Sequence, residues 1–162
     1  MSEVTDKIFG LGAEKGRWGL VILGMIINLC LGSIYSWSVF VGPLTTYFTK
    51  TLGQSVTANE ILLPFSVFLA CFALAMPFTG RYIEKYGPRN ITIIGGCLTG
   101  FGWLLSSFAG SVQWLYLFYG VIAGAGVGIA YGVPVAVAAR WFPDRRGLAV
   151  GLTLLGFGFP RF

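Results

Sequence analysis

Two uncharged stretches hold the side chains best suited to meet a solute. In the first, Gly24, Asn28, Gly32 and Tyr35 follow at spacings of four, four and three; at about 100° per helical residue they share a face roughly 80° wide. An amide such as Asn28 in an apolar segment needs partners inside the protein or in a wet cavity. An interhelical hydrogen bond, worth about 0.6–2 kcal/mol, would satisfy it, and so would a cavity that Tyr35 shares. In the second stretch, YGVIAGAGVGIAYGVP, Gly120, Gly124 and Gly128 repeat every four residues and Tyr131 continues their face. Small residues at that period let another helix approach closely. A phenol in mid-span needs a hydrogen-bond partner, which a substrate or a neighbouring helix can supply. Trp37 falls on the side opposite Asn28 and is expected to anchor at the lipid interface. These stretches assemble no nucleophile, base and orienting group, so they predict binding rather than enzyme chemistry.

The elements that position these residues follow from composition. The chain of 162 residues is 56% hydrophobic and 10% charged, with 24 glycines and no histidine, and its mean hydropathy is +0.78. Such values belong to membrane proteins rather than soluble domains. Charge-free runs cover 18–49, 61–80, 90–139 and 147–160. A bilayer core of about 30 Å takes about 20 helical residues, so the third run must hold two spans turning near Gly110. The expectation is an all-α membrane protein with four complete transmembrane helices, about 18–42, 60–80, 91–109 and 114–139, and a truncated fifth at 147–162. Residues 1–17, mixed in charge, are expected to form a cytoplasmic tail rather than a signal peptide. None of the four complete spans carries an acid or base in its interior, so this part offers neither a proton-relay carboxylate nor a cation to pair with an anion.

Cations fall in three clusters: Lys7, Lys15 and Arg17; Arg81, Lys85 and Arg89; Arg140, Arg145 and Arg146. Placing all three in the cytoplasm alternates the spans consistently and leaves Pro43–Asn59 and the Gly110 turn outside, the N-terminus being cytoplasmic. Separate membrane flanks do not make a nucleic-acid stripe. Cys30, Cys71 and Cys97 lie inside spans without CxxC spacing or histidine, which predicts small buried hydrophobes and no metal or other cofactor.

Residues 80–90, GRYIEKYGPRN, resemble the loop signature of the major facilitator superfamily between its second and third spans. Gly80, Lys85, Gly87 and Arg89 match; Glu84 stands where the family has aspartate, and Pro88 replaces a basic residue. ARWFPDRRGLAVGLTLLGFG and NLCLGSIYSWSVFVGPL further resemble the oxalate/formate antiporter and monocarboxylate transporter branches. The resemblance implies the N-terminal part of a secondary transporter in the plasma (inner) membrane, with two six-helix bundles rocking around a central site. It implies that Tyr35 and Tyr131 line that site, Asn28 being added from its own chemistry. A small organic anion such as oxalate, formate or lactate would be the substrate, and cations would come from a missing C-terminal six-helix bundle. Gly80, Glu84, Lys85, Gly87, Arg89 and Arg140 would then form a conformational latch. Glu84 would pair with a cation such as Arg89 or Arg140, or sit at the positive N-terminal end of a helix in the missing bundle, and Gly80 and Gly87 would permit tight turning and close approach. Ending about 15 residues into a span, with Arg161 deep in the membrane, the chain is expected to be a fragment that does not transport alone. A carrier for a neutral sugar or drug, and a stand-alone membrane interaction subunit using its glycine faces, are the alternatives.

Overall fold

The computed structural model describes residues 7–8, 11–51, 53 and 55–158. These form two compact units: the described residues of Met1–Ser33 with Pro134–Phe162, called unit 1, and Ile34–Val133, called unit 2. Apart from a short antiparallel pairing of Lys7–Ile8 with Leu11–Gly12, the described elements are helices.

Unit 1 is built on α1 (Ala13–Leu31) and α7 (Arg146–Gly158), with the part of α6 (Gly124–Trp141) from Pro134 onward. Glycines let α1 and α7 approach to backbone contact. A Cβ on Gly156 would collide with the Met25 carbonyl, and one on Gly24 would sit 3.1 Å from both Pro134 Cβ and Thr153 Cγ2. Below them Val21, Ala138, Phe142 and Ala149 form a buried cluster, with Trp18, Val150 and Leu152 packed against it.

Unit 2 starts inside a 3-10 turn, Gly32–Ser36, and continues through α2 (Trp37–Lys50), α3 (Ala58–Tyr86) and α4 (Pro88–Ser106). After Ser111, whose hydroxyl caps the Trp114 amide, α5 (Val112–Leu115) runs through a π-helical stretch, Tyr116–Ala123, into α6. A capping box starts α3: Glu60 accepts the Thr57 amide at 2.8 Å while the Thr57 side chain serves the first turn. Two helices then grip the glycine-rich helix. Toward α3, Cβ atoms on Gly124 and Gly128 would come within 2.7 Å of the Phe68 carbonyl and 2.6 Å of the Phe72 carbonyl, and one on Gly120 within 3.0 Å of Val67. Toward α4, a Cβ on Gly126 would come within 2.6 Å of the Thr99 amide nitrogen, and one on Gly95 within 2.7 Å of the Ala130 amide nitrogen. Without a hydrophobic drive between helices in lipid, such close approach is what joins them.

Several expectations change. The first apolar stretch does not turn outward at Pro43. Helix continues through Pro43 to Lys50, and just beyond the proline the Thr45 and Thr46 hydroxyls back-bond to the Val41 and Gly42 carbonyls. The expected loop at residues 80–90 is two helices joined at one residue. Gly80 to Tyr86 complete α3, Gly87 alone takes a left-handed φ of +80°, and Pro88 opens α4. Gly80 therefore turns nothing, and a Cβ there would meet no atom within 4 Å. Cys30 and Cys97 are exposed and Cys71 half-buried, so small hydrophobes of the interior they are not. Residues 13–17 are helical rather than tail, and the expected tail's residues 1–6, 9 and 10 lie outside the described residues, as do 159–162 with Arg161. Among the described residues three stretches are long and apolar enough to cross a bilayer: Gly16–Lys50, Ala58–Tyr86 and Val112–Trp141. The helix α4, with Arg89 and Asn90 in its first turn, is not one of them.

Candidate functional site

Tyr35 and Tyr131 both belong to unit 2 and are both half-buried. Tyr35 projects from the 3-10 turn, where tighter winding departs from the regular helical register assumed for its stripe. Tyr131 comes from α6, and the two phenols lie within electrostatic range of each other. Phe72 on α3 meets the Tyr131 ring edge-on, centroids 5.3 Å apart at 62°. That level is set one turn earlier, where Gly128 lies on the Phe72 carbonyl.

An aromatic wall follows within the same unit. Phe68 stacks on Tyr119 at 5.1 Å, and Tyr119 stacks on Trp37 at 4.1 Å and 22°. The Trp37 indole donates to the Ile61 carbonyl at 3.1 Å, with the residue 8% exposed. Trp37 is thus an interior tie between α2 and α3 and not an interface anchor. Phe68, Phe72 and Tyr119 were not anticipated, although Phe65, Phe68 and Phe72 recur at helical spacing. Phenol hydroxyls beside apolar rings can donate to a solute's oxygens without placing a charge in the membrane, and a low local dielectric strengthens each such bond.

Asn28 sits in unit 1, fully buried, and donates from Nδ2 to the Thr153 carbonyl at 2.9 Å. The Thr153 hydroxyl is spent on the Ala149 carbonyl at 2.9 Å. The Asn28 Oδ1 has no hydrogen-bond partner. The amide thus makes an interhelical bond with Nδ2 and leaves Oδ1 open.

Of the charged residues singled out, Glu84 and Lys85 ride the last turn of α3 and Arg89 the first turn of α4, all in unit 2. Arg140 ends α6 in unit 1. The Lys85 ammonium lies 5.2 Å over the Tyr86 ring. Sequence reasoning missed a different clasp. Arg17 grips Asp144 through both guanidinium nitrogens, at 3.1 and 3.3 Å, and lies 4.7 Å over the Phe142 ring, which Trp18 meets edge-on at 4.9 Å. The available signal was Asp144 itself, the lone carboxylate after Glu84 and set beside two arginines.

Among the described residues no three His, Cys, Asp or Glu side chains converge on a possible metal position. The chain is 36% identical over 148 residues to an oxalate:formate antiporter of Oxalobacter formigenes, covering 91% of this chain and 34% of that protein. It is 34% identical over 149 residues to monocarboxylate transporter 1 of Homo sapiens, with 91% and 29% covered. To human monocarboxylate transporter 14 it is 32% identical over 146 residues, with 90% and 28% covered. The chain thus spans about a third of the length of the curated relatives it matches. Residues 18–160 match the profile of the Major Facilitator Superfamily. With its long apolar helices and that match over nearly all its length, this integral membrane chain belongs to the Major Facilitator Superfamily.

Proposed function

We propose that this chain is the N-terminal portion of a secondary transporter for small organic anions, of the oxalate, formate or lactate kind, working by alternating access. The observation that carries the reading is its 36% identity, over 91% of the chain, to a protein named as an oxalate:formate antiporter. The tyrosine pair supports it. Tyr35 and Tyr131 supply neutral donors for carboxylate oxygens, while the charge that balances the anion comes from cations of a second bundle. Gly80, Glu84, Lys85, Gly87, Arg89 and Arg140 act as a latch, with Gly87 the pivot and the charges making contacts in one rocking state that break in the other. The N-terminus is cytoplasmic and the membrane is the plasma (inner) membrane. The face of Gly120, Gly124 and Gly128, the one that pointed to an interaction subunit, is already occupied by α3, which favours the carrier.

The test is counterflow in liposomes with protein made from the complete reading frame. Labelled oxalate or formate should accumulate against unlabelled anion, and Glu84→Gln should slow exchange while leaving membrane insertion intact. Accumulation of a neutral sugar in place of every anion would replace the substrate class.

A further inference from the structure

We propose that Phe72 is a positioning residue for the cargo: its ring holds the Tyr131 phenol in the direction from which the hydroxyl donates. The inference rests on the reading that Tyr131 meets the solute, and it supplies what keeps that tyrosine aimed. The aim has to come from packing. A tyrosine side chain turns about two single bonds, and its hydroxyl sits at the far end of the ring. A change of rotamer about the first bond carries the hydroxyl away altogether, and a smaller swing takes its hydrogen bond out of the favoured angular range.

Successive turns of contact fix where Phe72 stands. Pro64, Phe68 and Phe72 follow at four-residue steps along α3, as Gly120, Gly124 and Gly128 do along their helix. Cβ atoms on those glycines would come within 3.2 Å of the Pro64 carbonyl oxygen, 2.7 Å of that of Phe68 and 2.6 Å of that of Phe72. The pairs are therefore in step, and the two helices run the same way. At the last pair the Phe72 Cα itself would lie 3.2 Å from the added Cβ. With no side chain between them, the Phe72 backbone cannot shift without carrying α6 along. Tyr131 follows Gly128 by three residues. Helical side chains lean toward the N-terminus of their own helix, so the Tyr131 ring lies back toward the Gly128 level, where Phe72 is pinned. There the rings meet edge-on, 5.3 Å between centroids at 62°, an arrangement that aromatic pairs prefer to a face-to-face sandwich. Both side chains are half-buried, so taking the Phe72 ring away opens room for the phenol to turn.

The test is a double-mutant cycle on exchange kinetics in liposomes, with protein made from the complete reading frame and whichever of labelled oxalate and formate accumulates in counterflow. Loss of an edge-on ring contact should raise KM about threefold to fivefold in Phe72→Leu, at unchanged turnover per folded carrier. Phe72→Tyr, which keeps the ring, should restore KM. In a Tyr131→Phe background, where no hydroxyl remains to be aimed, Phe72→Leu should add nothing to KM. A purely structural Phe72 would instead lower the amount of folded carrier, and with it the maximal rate, at constant KM. Where Phe72→Leu does not fold, Phe72→Met fills the volume without a ring and takes its place in the cycle. A KM raised in Tyr131→Phe but unaltered in Phe72→Leu would overturn this proposal and leave the tyrosine reading standing. So would a Phe72→Leu effect of the same size in both backgrounds. Accumulation of neither anion, or an unaltered KM in Tyr131→Phe, would remove the underlying reading and this proposal together.

Discussion

Both units bring helices together at glycines, but they add different ties to that packing. In unit 1 the contacts between α1 and α7, and between α1 and the residues joining α6 to α7, are directed and polar. Asn28 bonds Thr153 at 2.9 Å, and Arg17 holds Asp144 by two bonds. In unit 2 the glycine-rich helix meets α3 and α4 through missing side chains, backbone on backbone, with stacked rings filling the remaining space. Directed bonds fix a register and are lost one at a time. Glycine packing has no register of its own but tolerates almost no added volume. Tyr35 and Tyr131 both belong to unit 2, and Asn28 to unit 1.

The largest effect should come from adding volume to unit 2. Gly128→Leu would drive a side chain into the Phe72 carbonyl and the Ala75 methyl, 2.6 and 2.9 Å from its Cβ, costing about 1–3 kcal/mol or more. Thermal unfolding in detergent should show a large loss of folded protein. Gly96→Leu, on a face where nothing lies within 4 Å, should leave the midpoint unchanged. If the two behaved alike, volume would not be what holds this unit.

Breaking a directed bond in unit 1 should cost less. Asn28→Ala removes the tie to Thr153, a loss of about 0.6–2 kcal/mol for an interhelical bond in lipid, measurable as unfolding free energy by steric trapping. A wild-type value would remove the central polar contact from the account. Smallest is the Arg17–Asp144 clasp, with side chains 23% and 46% exposed. A double-mutant cycle with Arg17→Ala and Asp144→Ala should give a coupling of about 0.2–1 kcal/mol that shrinks in high salt. A coupling insensitive to salt would mean the ring contacts of Arg17, not its charge, hold the turn.

What the sequence made legible follows the same division. Spans and the spacing of the small residues are periodic signals, so the four-residue rhythm of Gly120, Gly124 and Gly128 could be read directly, and the structure lays all three on α3. Tertiary pairings are not periodic. Nothing local to Trp37 says that its indole N–H reaches Ile61, and nothing local to Arg17 identifies Asp144, 127 residues away. Helix ends were the other blind spot. Glycine and charge at residues 80–90 read as loop chemistry, yet an amphipathic last turn is as polar as a loop, and only Gly87 breaks the ladder. Pro43 misled for the opposite reason: proline ends helices in water more reliably than in lipid, and here it sits inside α2.

In the proposed carrier the cargo meets Tyr35 and Tyr131 of unit 2, while the Asn28 amide ties α1 to α7. The direct measurement is the KM for anion exchange in Tyr131→Phe and Asn28→Ala, made in the complete reading frame and compared at equal amounts of folded protein. Loss of a hydrogen bond to substrate, about 1–1.5 kcal/mol, predicts a KM raised roughly tenfold in Tyr131→Phe. Asn28→Ala should lower yield and thermal stability with KM unchanged. A raised KM in Asn28→Ala beside an unaltered Tyr131→Phe would contradict the account.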